Sequence, residues 1–336
     1  MTPILEVIKN KNTKIKPIWL MRQAGRYLPE FRAIREKNTD FIKLCLNSKL
    51  LSDITLQPIK RFGFDAAIVF SDILLVPHAL GQTVNFKKDY GPELSDLNLN
   101  TLDKIDSYNF TKKLEPFYDG LDLLKNNKLL NGKDIIGFVG APWTVLLYML
   151  NKKSPKNEIS FSEFLKKEDE VDKLLITLEK FLKIHIKNQV ENGVTLIQIF
   201  DSWAGLLNDN QLTKFVYEPT LNLVNYVKSL NVPVICFPRG IRSYNNFIKI
   251  IKPDVINIDY LINPEELYSE NVVIQGGFNP EILLNSKEDI KKHALTYLNT
   301  FKDKPYIFNL GHGVLPETKI DMVDYLVKIV REFNGK

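Results

Sequence analysis

Eight short runs rich in β-branched and aromatic residues, separated largely by segments of helical spacing, constrain this chain more than any other feature. They occupy residues 18–20, 66–70, 135–139, 195–200, 234–237, 255–258, 272–275 and 306–310. Most are continuously apolar rather than alternating, the pattern of parallel strands covered on both faces. Helical spacing is clearest over 170–191, 211–230, 244–251, 287–298 and 318–333, and Asn263 before Pro264 reads as a capped helix start. The longest interval, 82–133, contains Gly91-Pro92 and repeated Asn-Leu pairs. It predicts an excursion made of a hairpin and then a helix near 114–124.

Eight strands alternating with helices predict a single (β/α)8 TIM barrel, and 336 residues suit one such barrel with a few insertions. A doubly wound open sheet is the alternative; it would be favoured by a G-x-G-x-x-G turn after a strand, which the sequence lacks. With no low-complexity linker, residues 1–336 read as one domain. A 44% hydrophobic content is enough to fill a large core. The net charge of +5 is too small for a nucleic-acid binder, and no basic run is interleaved with aromatics. Cys45 and Cys236 lie too far apart in sequence to suggest a disulfide framework or a cysteine zinc site. The first residues lack the apolar stretch of a signal peptide, and 139–150 is too short to span a bilayer. The expectation is a cytoplasmic enzyme or binding protein that engages neither nucleic acid nor membrane.

In a parallel barrel the loops after the strands converge on one rim, which is where chemistry sits. The residues least suited to a core fall there. Met21-Arg22-Gln23-Ala24-Gly25-Arg26 follows the first run, Ser71-Asp72 the second, Gly140-Ala141-Pro142-Trp143-Thr144 the third and Asp201-Ser202-Trp203-Ala204-Gly205 the fourth. Pro238-Arg239-Gly240, Asp259-Tyr260, Gly276-Gly277-Phe278-Asn279-Pro280 and Gly311-His312-Gly313 follow the remaining four. Arg22 and Arg26 each present a planar fork of donors suited to carboxylate or phosphate. Alone, Arg-x-x-x-Arg reads more readily as a salt-bridge cluster on a solvated helix. Recurrence of such residues after all eight runs favours a pocket.

Asp72 stands between apolar runs, where a carboxylate needs a partner or a cationic ligand; its ordinary alternatives are a helix N-cap or a structural partner for one of the arginines. His312 has a glycine on each side, giving backbone freedom and room for close approach. His185 and His293 read as structural or surface residues, and His78 is unassigned. Tyr148 reads by default as a core aromatic, and Ser202 is uninformative on its own. There is no G-x-S-x-G elbow, no G-x-x-x-x-G-K-[ST] loop and no H-E-x-x-H.

Several stretches carry a family resemblance. P-I-W-L-M-R-Q-A-G-R-Y-L-P-E-F-R (17–32) and G-F-V-G-A-P-W-T (137–144) are similar to the two signatures of the uroporphyrinogen decarboxylase family. The likeness continues through 56–62, 68–74, 198–205 and 309–316, in order along nearly the whole chain. The resemblance implies a (β/α)8 barrel, a homodimer, and no metal or organic cofactor. It also implies conversion of the four acetate arms of uroporphyrinogen III to methyls, giving coproporphyrinogen III in haem biosynthesis. Carried over by motif, the substrate contacts are Arg22, Gln23, Ala24, Gly25, Arg26, Asp72, Tyr148, Ser202 and His312, with Arg35 as a further carboxylate contact. Of these, Asp72, Arg22, Arg26 and Tyr148 are the catalytic candidates. The 276–280 segment departs from the family's Asn-Leu/Met-Asp-Pro pattern and receives no role.

On this reading Asp72 serves the pyrrole N–H groups and a developing cation, while Arg22 and Arg26 hold carboxylates. Tyr148, Ser202 and His312 position the arms. No proton donor is named, because an arginine, with a pKa above about 12, is a poor general acid. Two rivals stand beside this reading. A corrinoid- or thiol-handling methyltransferase would carry a Cys/His zinc set, and a non-catalytic tetrapyrrole carrier would not need Asp72.

Overall fold

Seven of the eight expected runs form regular strands in a computed structural model of the protein, which describes residues 1–87, 91–98, 102, 104–155, 168–267 and 272–334. In chain order the strands are β1 (Ala66–Ile68), β2 (Val84–Lys87), β3 (Gly91–Leu94), β4 (Asp134–Gly140), β5 (Leu196–Asp201), β6 (Val234–Pro238), β7 (Val255–Ile258), β8 (Val273–Gly276) and β9 (Tyr306–Ile307). β2 and β3 are the hairpin expected in the excursion, paired antiparallel and followed by the helix Ser107–Lys125. The other seven make one parallel sheet in the order β1-β4-β5-β6-β7-β8-β9.

The run at 18–20 is not a regular strand. Ile18 makes a single parallel bridge to Phe308, with Phe308 N–H donating to the Pro17 carbonyl at 2.8 Å. On its other side the Ile18 carbonyl accepts from Asp65 N–H at 2.9 Å. One short segment therefore touches both edges of the sheet, which curls the seven strands around a common interior. Pro17 contributes no N–H, and the chain turns away at Arg22, whose φ of 59° lies in the left-handed region. The ladder ends before it can lengthen, so the eighth position holds a bridge where a strand was expected.

Two other expectations are modified. The helix expected over 211–230 is split into Asp209–Leu212, a π turn at Thr213–Tyr217 and Glu218–Ser229. Pro219 cannot donate into the ladder, and the wide turn just before it absorbs the mismatch. The capped start at Asn263 is present, but it opens only the 3-10 turn Pro264–Glu266.

A chain of amides crosses the largely apolar interior. Gln198, Asn257, Gln275 and Asn309 are all fully buried. Gln275 Nε2 donates to Asn257 Oδ1 at 2.8 Å, and Trp19 Nε1 donates to Gln275 Oε1 at 3.1 Å. This ties β7 and β8 to the bridging segment from the inside.

From the outside the same segment is held by Asp65. Its Oδ2 accepts from Ile18 N–H at 2.7 Å, and Arg331 of the last helix, Ile320–Asn334, grips both of its oxygens at 2.8 and 3.0 Å. Lys16 adds a second clasp, its ammonium donating to the carbonyls of Thr13, Lys302 and Lys304. Removing a buried hub leaves several donors unmet. Asp65→Ala should lose about 2–4 kcal/mol of stability in urea unfolding, more than Arg331→Ala, whose partner keeps the Ile18 bond. Equal losses in the two variants would show that Asp65 holds only the last helix.

Candidate active site

A cavity of about 540 Å³ opens at the C-terminal ends of the strands. Arg22, Ala24, Gly25, Arg26, Asp72, Tyr148, Ser202 and His312 all line it, so eight residues singled out from the sequence share one space. A second groove of about 600 Å³, between the hairpin and residues 151–153, contains none of them.

The loop that delivers the arginines is fixed by side chains that act as backbone partners. Gln23 is fully buried and does not line the cavity. Its Oε1 accepts from Leu20 N–H at 3.1 Å, and its Nε2 donates to the Ala66 carbonyl at 3.0 Å. Asn309 Oδ1 accepts from Met21 N–H at 2.9 Å, and Val314 N–H donates to the Met21 carbonyl. These bonds hold Arg22 in a left-handed conformation that a non-glycine residue adopts at a cost of about 1–3 kcal/mol.

The stem of Arg22 lies directly on Gly313, where an added Cβ would come 2.2 Å from Arg22 Cδ. A Cβ on Gly311 would sit 2.3 Å from Tyr260 N. Neither glycine has a positive φ. The Gly-His-Gly signature therefore serves close approach on both sides of His312, and the backbone freedom expected from the sequence is not used.

Asp72 ends the loop after β1. Its Oδ1 accepts from Leu74 N–H at 2.8 Å in a local turn; the helix that follows, Leu75–Ala79, has no side-chain cap, so the capping role considered from sequence is not filled. Its Oδ2 has no hydrogen-bond partner among the described residues. Burial pushes the carboxyl up to about 6, offset by the Leu74 N–H and by Arg22. Burial lowers the Arg22 pKa, while Asp72 and Tyr148 act in the opposite sense. Burial also pulls His312 down to about 4, with Arg22 and Arg239 adding to the effect, so this imidazole is neutral near pH 7.

Tyr148 projects from the buried helix Pro142–Asn151, with its hydroxyl 3.3 Å from Ser154 Oγ and its ring packed edge-on to Trp203. Arg35 does not line the cavity; its guanidinium caps the Phe41 ring and bonds the Asn38 carbonyl. The 276–280 loop also stays out, and its Phe278 carbonyl accepts from Gly311 N–H at 2.8 Å, bracing the His312 loop. His185 is buried against Tyr118, its Nδ1 2.9 Å from the phenol oxygen.

Sequence reasoning missed the aromatic walls and gave Arg239 no role. Phe138, Phe200 and Phe237 stand edge-to-face on neighbouring strands, with centroids 5.5 and 6.3 Å apart. Phe31 and Phe41 pack against Phe70 in the same way. The signal was available, since four runs carry a phenylalanine at or next to their last position: Phe70, Phe138, Phe200 and Phe237. Together they give the cavity broad apolar faces between its charges. Such a space suits a flat, largely apolar ring that bears carboxylates.

Beneath Ser202, Asp201 accepts from Thr144 Oγ1 at 2.6 Å, and the Thr144 oxygen in turn accepts from Trp203 N–H. This network joins the end of β5 to the helix that carries Tyr148. Asp201 Oδ2 is buried without a partner among the described residues, and burial pushes this carboxyl to about 7.

The sequence matches the family described as uroporphyrinogen decarboxylase (URO-D) over residues 1–333. It is 42% identical to the uroporphyrinogen decarboxylase of Rickettsia bellii, covering 100% of both chains. Against that of Rickettsia felis it is 40% identical, covering 100% of this chain and 98% of the relative. Among solved structures, a methyltransferase from Methanosarcina mazei superposes with a TM-score of 0.74 over 98% of each chain at 16% identity, a likeness of fold.

Asp201 gives a measurable pH signature. A carboxyl raised in the folded state binds its proton more tightly than in the unfolded chain, so its contribution to stability grows as pH falls below about 7 and is lost above it. Asp201→Asn removes this dependence. Its Tm relative to wild type should therefore rise between about pH 5 and about pH 8 in thermal melts. A constant difference would mean that the group is ionised throughout that range.

Proposed function

The chain belongs to the uroporphyrinogen decarboxylase family, and we propose that its cavity binds uroporphyrinogen and removes carbon dioxide from the four acetate arms, giving coproporphyrinogen for porphyrin and haem biosynthesis. The observation that carries the site assignment is Asp72, the one acidic side chain lining the cavity among the described residues, with an oxygen free to act on a ligand.

Loss of carbon dioxide from a saturated arm leaves an electron pair that needs a sink. A pyrrole protonated at the ring carbon bearing the arm is such a sink, and it is cationic. A carboxylate fixed beside the pyrrole nitrogens stabilises that cation more than the neutral ring. A charge pair at about 4 Å in an effective dielectric of about 20 is worth about 4 kcal/mol, a substantial part of the roughly 8–23 kcal/mol enzymes supply. Asp72 performs this role, with Oδ1 anchored by its own turn. Arg22 and Arg26 hold substrate carboxylates, each charge-assisted contact worth about 1.5–3 kcal/mol. Tyr148, Ser202 and neutral His312 orient the arms by hydrogen bonding. Gln23 acts one step back, as the residue that positions Arg22. His312, titrating near 4, is unsuited to supply the proton at neutral pH.

Three further parts of this reading rest on the resemblance and on general support. The Pro17–Leu20 segment is the eighth stave of a closed (β/α)8 barrel, supported by its bonds to both sheet edges. The chain is one domain, supported by a continuous hydrophobic core. It works as a cytoplasmic homodimer, a state that analytical ultracentrifugation tests. No described helix is long and apolar enough to cross a membrane. The methyltransferase rival lacks support, since no three His, Cys, Asp or Glu side chains converge as a metal set among the described residues.

Anaerobic incubation with uroporphyrinogen, followed by oxidation and chromatography, should show partly decarboxylated porphyrins and then coproporphyrin. Tight binding without turnover would indicate a carrier. Asp72→Asn should lower kcat by about 10²–10³. In the wild type, kcat/KM should fall as pH drops through about 6, where the Asp72 carboxylate is protonated, and that limb should vanish in the variant. Arg22→Ala should impair binding or turnover far more than stability. Unchanged kinetics in that variant would remove Arg22 from the binding role.

A further inference from the structure

Arg239 lines the same cavity as Asp72, Arg22 and Arg26. It leaves the end of β6 in Pro238-Arg239-Gly240, and both of its backbone groups are fixed. Its N–H donates to the Asp201 carbonyl, and its own carbonyl accepts from Gly205 N–H, each at 3.0 Å. A Cβ on Gly205 would fall 2.4 Å from the Gly240 carbonyl oxygen, so this close approach requires glycine.

The side chain is oriented from one edge only. Arg239 Nε lies 3.3 Å from Asp259 Oδ2, and Asp259 is nearly completely buried. Asp259 is itself anchored, with Oδ1 accepting from Leu261 N–H at 3.1 Å and its own N–H donating to Tyr244 Oη at 3.2 Å. Neither terminal nitrogen of Arg239 has a hydrogen-bond partner among the described residues, and the side chain is 31% exposed. A guanidinium held through Nε by a buried acid, with its outer edge open to a cavity, is preorganised for bidentate capture of a carboxylate.

Its place in the fold separates it from the other two arginines. β6 is the fourth strand from the Ile18 segment counted through β9, and also the fourth counted through β1. Arg22 and Arg26 follow that segment, so Arg239 reaches the cavity from across the sheet. Its positive charge is felt at both Arg22 and His312. Among the described residues, three guanidiniums and one carboxylate line the cavity. A macrocycle with acidic arms around its rim needs cations on more than one side, and two neighbouring arginines cover only one.

We propose that Arg239, oriented by Asp259, is a substrate-binding residue that holds a carboxylate arm of the tetrapyrrole on the side opposite Arg22 and Arg26. This rests on the decarboxylase reading above and extends it to a residue that the resemblance did not assign.

Arg239→Gln alone would leave Asp259 buried without its cation, so the informative variant is Arg239→Gln with Asp259→Asn, which keeps a neutral amide pair. Arg239→Lys keeps the charge and loses the fork. The readouts are kcat and KM with uroporphyrinogen under anaerobic conditions, with thermal melts of each protein. The double variant should raise KM roughly ten- to hundredfold, the scale of one charge-assisted contact, and change kcat much less. Arg239→Lys should fall between it and the wild type. Unchanged KM in folded, active variants overturns the proposal alone. A loss confined to kcat, with KM unchanged, also overturns it as a binding role. A wild type without turnover removes the functional reading and this proposal with it.

Discussion

A guanidinium and a carboxylate that line one cavity attract each other, yet Arg22 and Asp72 form no ion pair, and the surrounding structure keeps them separate. Asp72 is tied to its own chain through Leu74 N–H. Arg22 is committed by its left-handed backbone and by a stem laid along Gly313. The second of these ties depends on buried amides. Gln23 and Asn309 hold the arginine loop, and Gln198, Asn257 and Gln275 continue the amide network through the interior below. The clasp of Asp65 by Arg331 fixes the segment from which that loop departs. Charges that would otherwise cancel remain available to a ligand.

The cost of this arrangement appears in the titration behaviour of the cavity. Burial lifts Asp72 and lowers both Arg22 and His312, so each ionised form is disfavoured where it stands. On the proposed reading, a polyanionic substrate with pyrrole N–H groups would offset these penalties, its carboxylates toward the arginines, its N–H groups toward Asp72 and its ring faces toward the walls of Phe138, Phe200 and Phe237. Charge stabilisation in such an enclosed space is stronger than in water and needs little reorganisation at the moment of reaction.

The positions of the strands and the location of the site at their C-terminal ends were legible in the sequence, because continuous apolar runs and the unusual residues after them follow from backbone periodicity alone. The failure at 18–20 was not, since it depends on Pro17 lacking a donor and on the turn at Arg22. Residue type also misled at Gln23, where a polar side chain in a signature motif proved to be a buried backbone partner. The site's apolar walls were written in the terminal phenylalanines of four runs, but a phenylalanine ending a strand looks the same whether it faces core or cavity. Arg239 was visible only as part of a loop, because its orientation comes from Asp259, twenty residues away in sequence.

Asp72 is kept out of an ion pair at the expense of folding stability. The most direct test is the stability of the ligand-free Asp72→Asn protein near pH 7.5, measured by urea unfolding. Asparagine can still accept from Leu74 N–H, and it removes a carboxylate whose pKa is raised by burial. The account predicts a variant more stable than wild type by about 1–2 kcal/mol. A clear loss of stability would contradict it, showing Asp72 to be a structural partner in the fold rather than a charge held ready for substrate.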